Sequence, residues 1–267
     1  QFPYTSLAKL GAVPVSRKPQ ERVLNLRAFF GVASLSLVST VLPAAFRKEE
    51  RDTASSHALA SWLRIGELLA DRLETVAFDE RRARALLPII RSLALDPKAG
   101  DLPDRLKQLC ASCGISLVFV PHLPKTYVNG ATKWVASDKV VIQLSLRRPY
   151  ADIIWFNLFH ELGHVLLHGK KNVYVAETDD TGQGERDRFE QEADAFASQQ
   201  LVPAVAYRRY LAGHRITKLS IKEFARTINV HPCMVVGRLQ HDRKLPFSVM
   251  NDLRPRLSWE PDRLTAD

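Results

Sequence analysis

Residues 153–168 read Ile153-Ile154-Trp155-Phe156-Asn157-Leu158-Phe159-His160-Glu161-Leu162-Gly163-His164-Val165-Leu166-Leu167-His168. Apolar residues fill both sides of the stretch, the pattern of a buried helix. Inside it lies H-E-x-x-H. On a helix His160 and His164 are i and i+4, on one face and one turn apart, so both imidazoles can bind one Zn²⁺. Glu161 is offset round the helix, where its carboxylate can reach a water on the metal and act as general base. A buried amphipathic helix that happens to carry two histidines would read the same way, so the motif needs a second signal.

That signal is Phe189-Glu190-Gln191-Glu192-Ala193-Asp194-Ala195-Phe196-Ala197-Ser198-Gln199-Gln200-Leu201-Val202-Pro203. Phe189, Ala193, Phe196, Ala197 and Leu201 recur at helical spacing, and Pro203 closes the run. Glu190 and Asp194 are again i and i+4. A catalytic zinc wants three protein ligands and one open position, and Glu190 is the candidate third ligand. Asp194, one turn on, is placed to accept a hydrogen bond from a ligand histidine, most naturally His160, and to fix its tautomer. Glu192 points away from these two and is the weaker candidate.

H-E-L-G-H, then E-x-x-A-D-x-F-A, then L-x-P resembles the pattern of the ImmA/IrrE family of bacterial metallopeptidases. The resemblance implies a zinc protein with His160, His164 and Glu190 as ligands and Glu161 as catalytic base. Ala28–Ser34, Ala60–Glu67 and Val235–Gln240 extend the likeness over roughly residues 1–245. They resemble a subgroup in which the peptidase-like domain follows an N-terminal XRE-type helix-turn-helix, with some HigA-like antitoxins among its members. No such segment precedes Gln1, and the sequence does not begin with Met. It is therefore read as a fragment, a processed product or an expressed piece of a longer protein.

Other polar residues carry weaker readings. His168 continues the row of His160 and His164, but a straight helix carries each further turn about 5.4 Å along its axis. A third ligand on the same helix is therefore disfavoured, and a transition-state donor or helix C-cap is the better role. His122, Tyr127 and Tyr150 lie in or near the segments before the zinc helix as further oxyanion donors, with nothing to choose among them. Cys110 and Cys113 form a lone C-x-x-C ahead of Gly114 and read as helix-end residues rather than a zinc knuckle. An odd count of three cysteines fits a reducing, cytoplasmic setting.

With 267 residues, 46% of them apolar, the chain can bury a large core in one or two domains. The longest apolar candidate for a span, Val32 to Phe46, holds Pro43 and several serines and reads as a soluble helix; no signal peptide is recognised. The net charge of +9 is uneven: +5 over residues 1–100, −2 over 101–200 and +6 over 201–267. Basic flanks leave nucleic acid open as a partner, here or through an absent N-terminal helix-turn-helix, against ordinary solvated arginine.

The fold class read from these patterns is α+β and mostly helical, around a compact zincin core. Residues 1–97 are a helical N-terminal region, with helices over Glu21–Phe30, Ser34–Leu42, Ser55–Phe78 and from Asp79 as N-cap to Leu95, where Pro88 kinks or splits the last. Residues 98–204 are the metallopeptidase core. It opens with a helix from Pro103 to Cys113 and a small antiparallel sheet from runs at 115–120, 133–135 and 140–146. The zinc helix and the Glu190 helix follow, joined by Lys170–Arg188, which includes a loop at Asp179–Gly184 expected to be mobile. Residues 205–267 are a C-terminal helical region. Its Ser220–Leu239 resembles a helix-turn-helix, with Ala225 at the crossing, Asn229 at a left-handed turn and Val235 packed inward. Pro232, Cys233 and Met234 open its second helix with few base-reading groups, so packing on the core is the favoured reading.

Two functions are open. One is a zinc endopeptidase that cuts a protein or peptide partner of regulatory kind, repressor- or toxin-like. The other is an XRE-type regulator or antitoxin whose zincin-like domain senses or binds with little turnover. The complete set of His160, Glu161, His164 and Glu190 favours the first, because a sensor needs no base.

Overall fold

The computed structural model describes residues 2–42, 55–168, 183–213, 215–262 and 264. In chain order the helices are α1 (Tyr4–Lys9), α2 (Pro19–Phe30), α3 (Val38–Val41), α4 (Ser56–Ala70), α5 (Glu80–Leu93) and α6 (Leu102–Ala111). Strands β1 (Ile115–Val120), β2 (Gly130–Ala136) and β3 (Lys139–Ser145) follow. Then come α7 (Ala151–Gly163), a π-helical turn over His164–His168, α8 (Gln183–Leu201), α9 (Ala204–Gly213), α10 (Lys218–Thr227) and α11 (Pro232–His241). The class is α+β, as the sequence pattern indicates.

The sheet is mixed rather than antiparallel, a correction to the sequence reading. Its strand order is β1-β3-β2. β2 and β3 form the expected antiparallel hairpin, Gly130 opposite Leu144, but β3 lies parallel to β1, Ile115 opposite Val140. Residues 121–129 carry the chain past the position of β3 to the outer edge, and the hairpin then returns into the centre. A parallel pair needs cover on both faces, and every residue of β1 is buried. Ile115, Leu117, Phe119, Val140, Ile142 and Leu144 face one core, with Trp155, Leu158 and Phe159 of α7. Val118, Val120 and Val141 face a second core, with Trp62 and Ile65 of α4 and Phe29 and Phe30 of α2. The sheet therefore divides two helical layers, as side chains alternate across a strand. Although α5 precedes the boundary expected at residue 97, its Ala83, Leu87 and Ile90 pack into the α7 core.

α4 ends at Ala70, eight residues short of the expected Phe78. The backbone beyond it is spent elsewhere: Val76 N–H bonds Ala111 O (3.3 Å), Phe78 N–H bonds Asp138 O (2.7 Å) and Asp79 N–H bonds Cys113 O (3.1 Å). This extended passage leans on Gly114, whose φ of +86° and contact with the Phe78 backbone exclude a side chain. Asp79 then caps α5 by accepting from Arg82 N–H (3.0 Å). α5 runs through Pro88 without a break.

α10 and α11 form the expected pair. A capping box of Thr217 and Ser220 starts α10, and Asn229 has φ +55° between the helices. Ala225, Cys233, Met234, Val235 and Val236 are buried in the α7 core. Gly237 lets α11 come close to Asp152 of α7, where a Cβ would press on the carboxylate. Asp152 accepts from Nε and Nη2 of Arg254 at 2.8–3.1 Å. The Pro19–Val41 stretch is long and apolar enough by composition to cross a membrane, but α2 stops at Gly31 in the left-handed conformation and the stretch is no continuous helix.

Gly114→Ala should cost at least about 2 kcal/mol, because φ is unfavourable for an L side chain and the obstructing atoms are backbone. Chemical denaturation of the metal-free protein checks this; a loss under about 0.5 kcal/mol would show that the Phe78 passage is not fixed as described.

Candidate metal centre and active site

α8 lies antiparallel along α7. Gly163 makes the approach possible: a Cβ there would sit 3.2 Å from the Ala193 Cα and 3.2 Å from the Phe196 ring. Three side chains converge at this crossing. His160 Nε2 is 3.0 Å from His164 Nε2, and Glu190 Oε2 and Oε1 lie 3.3 and 3.6 Å from these two nitrogens. All the ligand atoms fall within 4.8 Å of one another.

What stands behind the imidazoles decides what they offer. Asp194 Oδ1 is 2.8 Å from His160 Nδ1. A carboxylate only accepts, so Nδ1 donates and the Nε2 lone pair faces the cluster. His164 is oriented by a longer chain. Glu192 Oε2 lies 3.0 Å from His168 Nε2, and His168 Nδ1 lies 3.1 Å from His164 Nδ1. Glu192 therefore fixes the proton on His168 Nε2. His168 Nδ1 is left to accept from His164 Nδ1–H, and the His164 Nε2 lone pair also faces the cluster. Arg188 Nε donates to the far oxygen of Glu192 at 2.7 Å. Two lone pairs and a carboxylate aimed at one small space repel one another unless a cation lies among them. The donor set of two imidazole nitrogens and one carboxylate fits a divalent metal, zinc above all.

The same contacts set the charge of the imidazoles. Burial opposes charge on His160, but hydrogen bonds to Asp194 and Glu190 and the charge of Glu161 outweigh it and lift its pKa to about 10. Burial, reinforced by the charge of His160, pushes His164 down to about 4.

Glu161 is buried under β2. Its Oε2 accepts from Thr132 Oγ1 at 2.7 Å, and Gly130 passes so near the carboxylate that a Cβ would collide with it. Thr132 is a site residue that sequence reasoning missed, since only the register of β2 against α7 reveals it. The role of Glu192 was also missed. A signal existed in the His160, His164, His168 row, whose last member needs an acceptor from the facing helix.

The remaining candidates lie elsewhere. His168 faces His164 and Glu192 rather than the open side of the cluster. Tyr150 is the N-cap of α7, about 15 Å along the helix from His160, with Arg254 and Arg256 over its ring. His122 is hydrogen-bonded to Thr126 (3.1 Å), and Tyr127 stacks under Arg147. Cys110 and Cys113 are buried thiols at the end of α6. Burial raises both pKa values, that of Cys113 to about 11. The expected Asp179–Gly184 loop falls mainly on residues 169–182, outside the described residues.

Residues 154–240 match the family model described as the IrrE N-terminal-like domain, a peptidase family. No curated protein matches the chain. The matched stretch runs from α7 to α11 and contains His160, Glu161, His164 and Glu190, so it supports the ImmA/IrrE resemblance on the residues that build the cluster.

Two outcomes follow for metal binding. Asp194→Ala and Glu192→Ala should each weaken zinc about 10–100-fold, whereas His164→Ala should empty the site. Competitive titration against a chelator measures all three, and unchanged affinity in Glu192→Ala would remove the role given to His168. The second concerns pH. Zinc must displace a proton from His160 at any pH below about 10. Affinity should therefore keep rising, about tenfold per pH unit, well past pH 7.5. A plateau above pH 7, as an ordinary histidine of pKa about 6.5 would give, would contradict the pairing of His160 with Asp194 and Glu190.

Proposed function

We propose that this chain is a zinc-dependent endopeptidase acting on a regulatory protein partner, repressor- or toxin-like. The observation that carries the reading is the pairing of the His160, His164 and Glu190 cluster with a carboxylate held at its side: Glu161, fixed by Thr132. A site that only bound metal would need no such group.

Zinc bound there would polarise a peptide carbonyl and make water acidic enough to attack near neutral pH. The rest falls to the protein. Glu161 takes the proton of the attacking water and passes it to the leaving amide nitrogen, so one carboxylate serves as base and then as acid. Thr132 holds that carboxylate in one rotamer. β2 is an edge strand, hydrogen-bonded to β3 on one side, and an extended substrate adds to its other side as a further strand. This lays the scissile bond across Glu161. Asp194 and the Glu192–His168 pair keep both imidazoles aimed while the substrate comes and goes. The peptidase-family match over residues 154–240 supports the same class of activity, and three buried free cysteines accord with a cytoplasmic setting.

The test is incubation of zinc-loaded protein with the repressor- or toxin-like protein encoded beside it, followed by intact-mass analysis. A single cut is expected, and Glu161→Gln should retain zinc while the rate falls by several orders of magnitude. Thr132→Ala should lower kcat by about tenfold with zinc retained, through loss of one positioning hydrogen bond. Equal activity of Glu161→Gln and wild type would remove the peptidase reading and leave a sensing or binding role for the domain.

A further inference from the structure

Beside the metal cluster lies a cleft of about 460 Å³. α7 and α8, which build the cluster, also line the cleft, together with α11 and the residues that follow it. α7 supplies Phe156, one turn before His160 with ring centroids 6.3 Å apart, and Ile153, two turns before it; α8 supplies Ser198 and Leu201, one and two turns beyond Asp194; and Asn129 immediately precedes β2. The cleft therefore continues from the site along α7, beginning about one helical turn, or about 5.4 Å, from His160 at Phe156 and reaching Asp152 and Ile153 two turns away. That first step is also close to the 6.6–6.8 Å between same-face side chains of an extended peptide.

Its chemistry has two parts. The walls are apolar, formed by Ile153, Phe156, Leu201, Val202 and Met234. The charged lining is basic. Arg254 is committed to Asp152 and Gln240 on the floor, and Arg238 to Asp242. Arg148 and Arg243 are exposed and make no ion pair among the described residues. Arg243 stands at φ +56°, a conformation that a glycine or asparagine would take at less cost. Asp152, the acid in the lining, is already neutralised by Arg254.

We propose that this cleft is the specificity subsite of the peptidase site. It takes a large apolar side chain next to the scissile bond, flanked by a carboxylate that Arg148 and Arg243 bind. The proposal rests on the endopeptidase reading for the word scissile, but the subsite itself is a binding property. Burying a leucine-sized side chain against these walls should be worth about tenfold or more in affinity over alanine. Two unpaired guanidiniums at the mouth attract an acidic group and repel a basic one.

The test is fluorescence anisotropy with zinc-loaded Glu161→Gln protein, which binds without cutting. The reference probe is fluoresceinyl-Gly-Gly-Leu-Glu-Gly-Gly-amide. Replacing its Leu by Ala, or its Glu by Lys, should each weaken binding about tenfold or more. A fourth probe, ending at Leu with a free carboxylate, separates the two sources of negative charge. Binding equal to the reference means that the arginines read a chain end; binding as weak as the Lys probe means that they read a side chain. In the Arg148→Glu/Arg243→Glu protein the order of the Glu and Lys probes should invert. Ser198→Trp should fill the cleft and abolish binding with zinc stoichiometry and thermal midpoint unchanged. Equal binding of all probes, binding of none, or full binding by Ser198→Trp would each overturn the proposal. If the probes behave as expected but the wild-type protein cuts no protein substrate, the subsite stands and the peptidase reading falls.

Discussion

The site depends on one constraint: two imidazoles must present their Nε2 lone pairs to the same point. Left alone, neighbouring histidines 3.0 Å apart would share a proton or turn away. Here each is locked from behind by a carboxylate, His160 directly by Asp194 and His164 through His168 by Glu192. Both carboxylates belong to α8, which also provides Glu190. The helix that brings Glu190 to the two imidazoles is thus the helix that orients them, and the distance between α7 and α8 sets the geometry of the cluster. Gly163 against Ala193 sets it.

The rest of the fold holds α7 and the sheet edge in place around this crossing. β1 and β3 are buried on both faces, so the sheet is anchored by two cores while β2 remains an edge. Gln143 in β3 helps to tie the second core by donating from Nε2 to Trp62 O at 2.6 Å. On the far side α11 supports the first half of α7 through Gly237 and the Asp152–Arg254 pair. Asp152 is buried deeply enough that its pKa rises despite the guanidinium beside it. Breaking such a pair by removing Arg254 alone would strand a charge in the core. The helix pair that resembles a nucleic-acid reader thus serves as a buttress, with the opening residues of its second helix turned inward.

The cluster of His160, His164 and Glu190 was legible in the sequence because helical period places its members on two faces. The spacing of His160 to His164 and of Glu190 to Asp194 fixes faces, and two faces with complementary chemistry suffice. The Glu192–His168 link was legible only by half: the His160, His164, His168 row calls for an acceptor on the facing helix, but which residue supplies it depends on the π turn after Gly163 and on how α8 is rotated against it. Thr132 was hidden for a related reason: strand register against a helix is a tertiary property, and the β2 run looked weak beside its neighbours. The run from Ser55 to Phe78 read as one helix because its apolar residues suit one. Hydrogen bonds to Ala111, Asp138 and Cys113 win the last part away, and no local pattern announces them. The mixed sheet escaped because alternation reveals strands but not their order.

The most direct measurement is anomalous diffraction at the zinc edge from crystals grown with stoichiometric zinc. One peak per chain is expected, bounded by His160 Nε2 and His164 Nε2 at about 2.0–2.1 Å and by a Glu190 oxygen at about 2.0–2.2 Å, with Asp194 and His168 on the far side of the two rings, hydrogen-bonded to Nδ1. A peak coordinated by Asp194, Glu192 or His168 in place of any of these three ligands, or no peak between the two helices, would contradict this assignment.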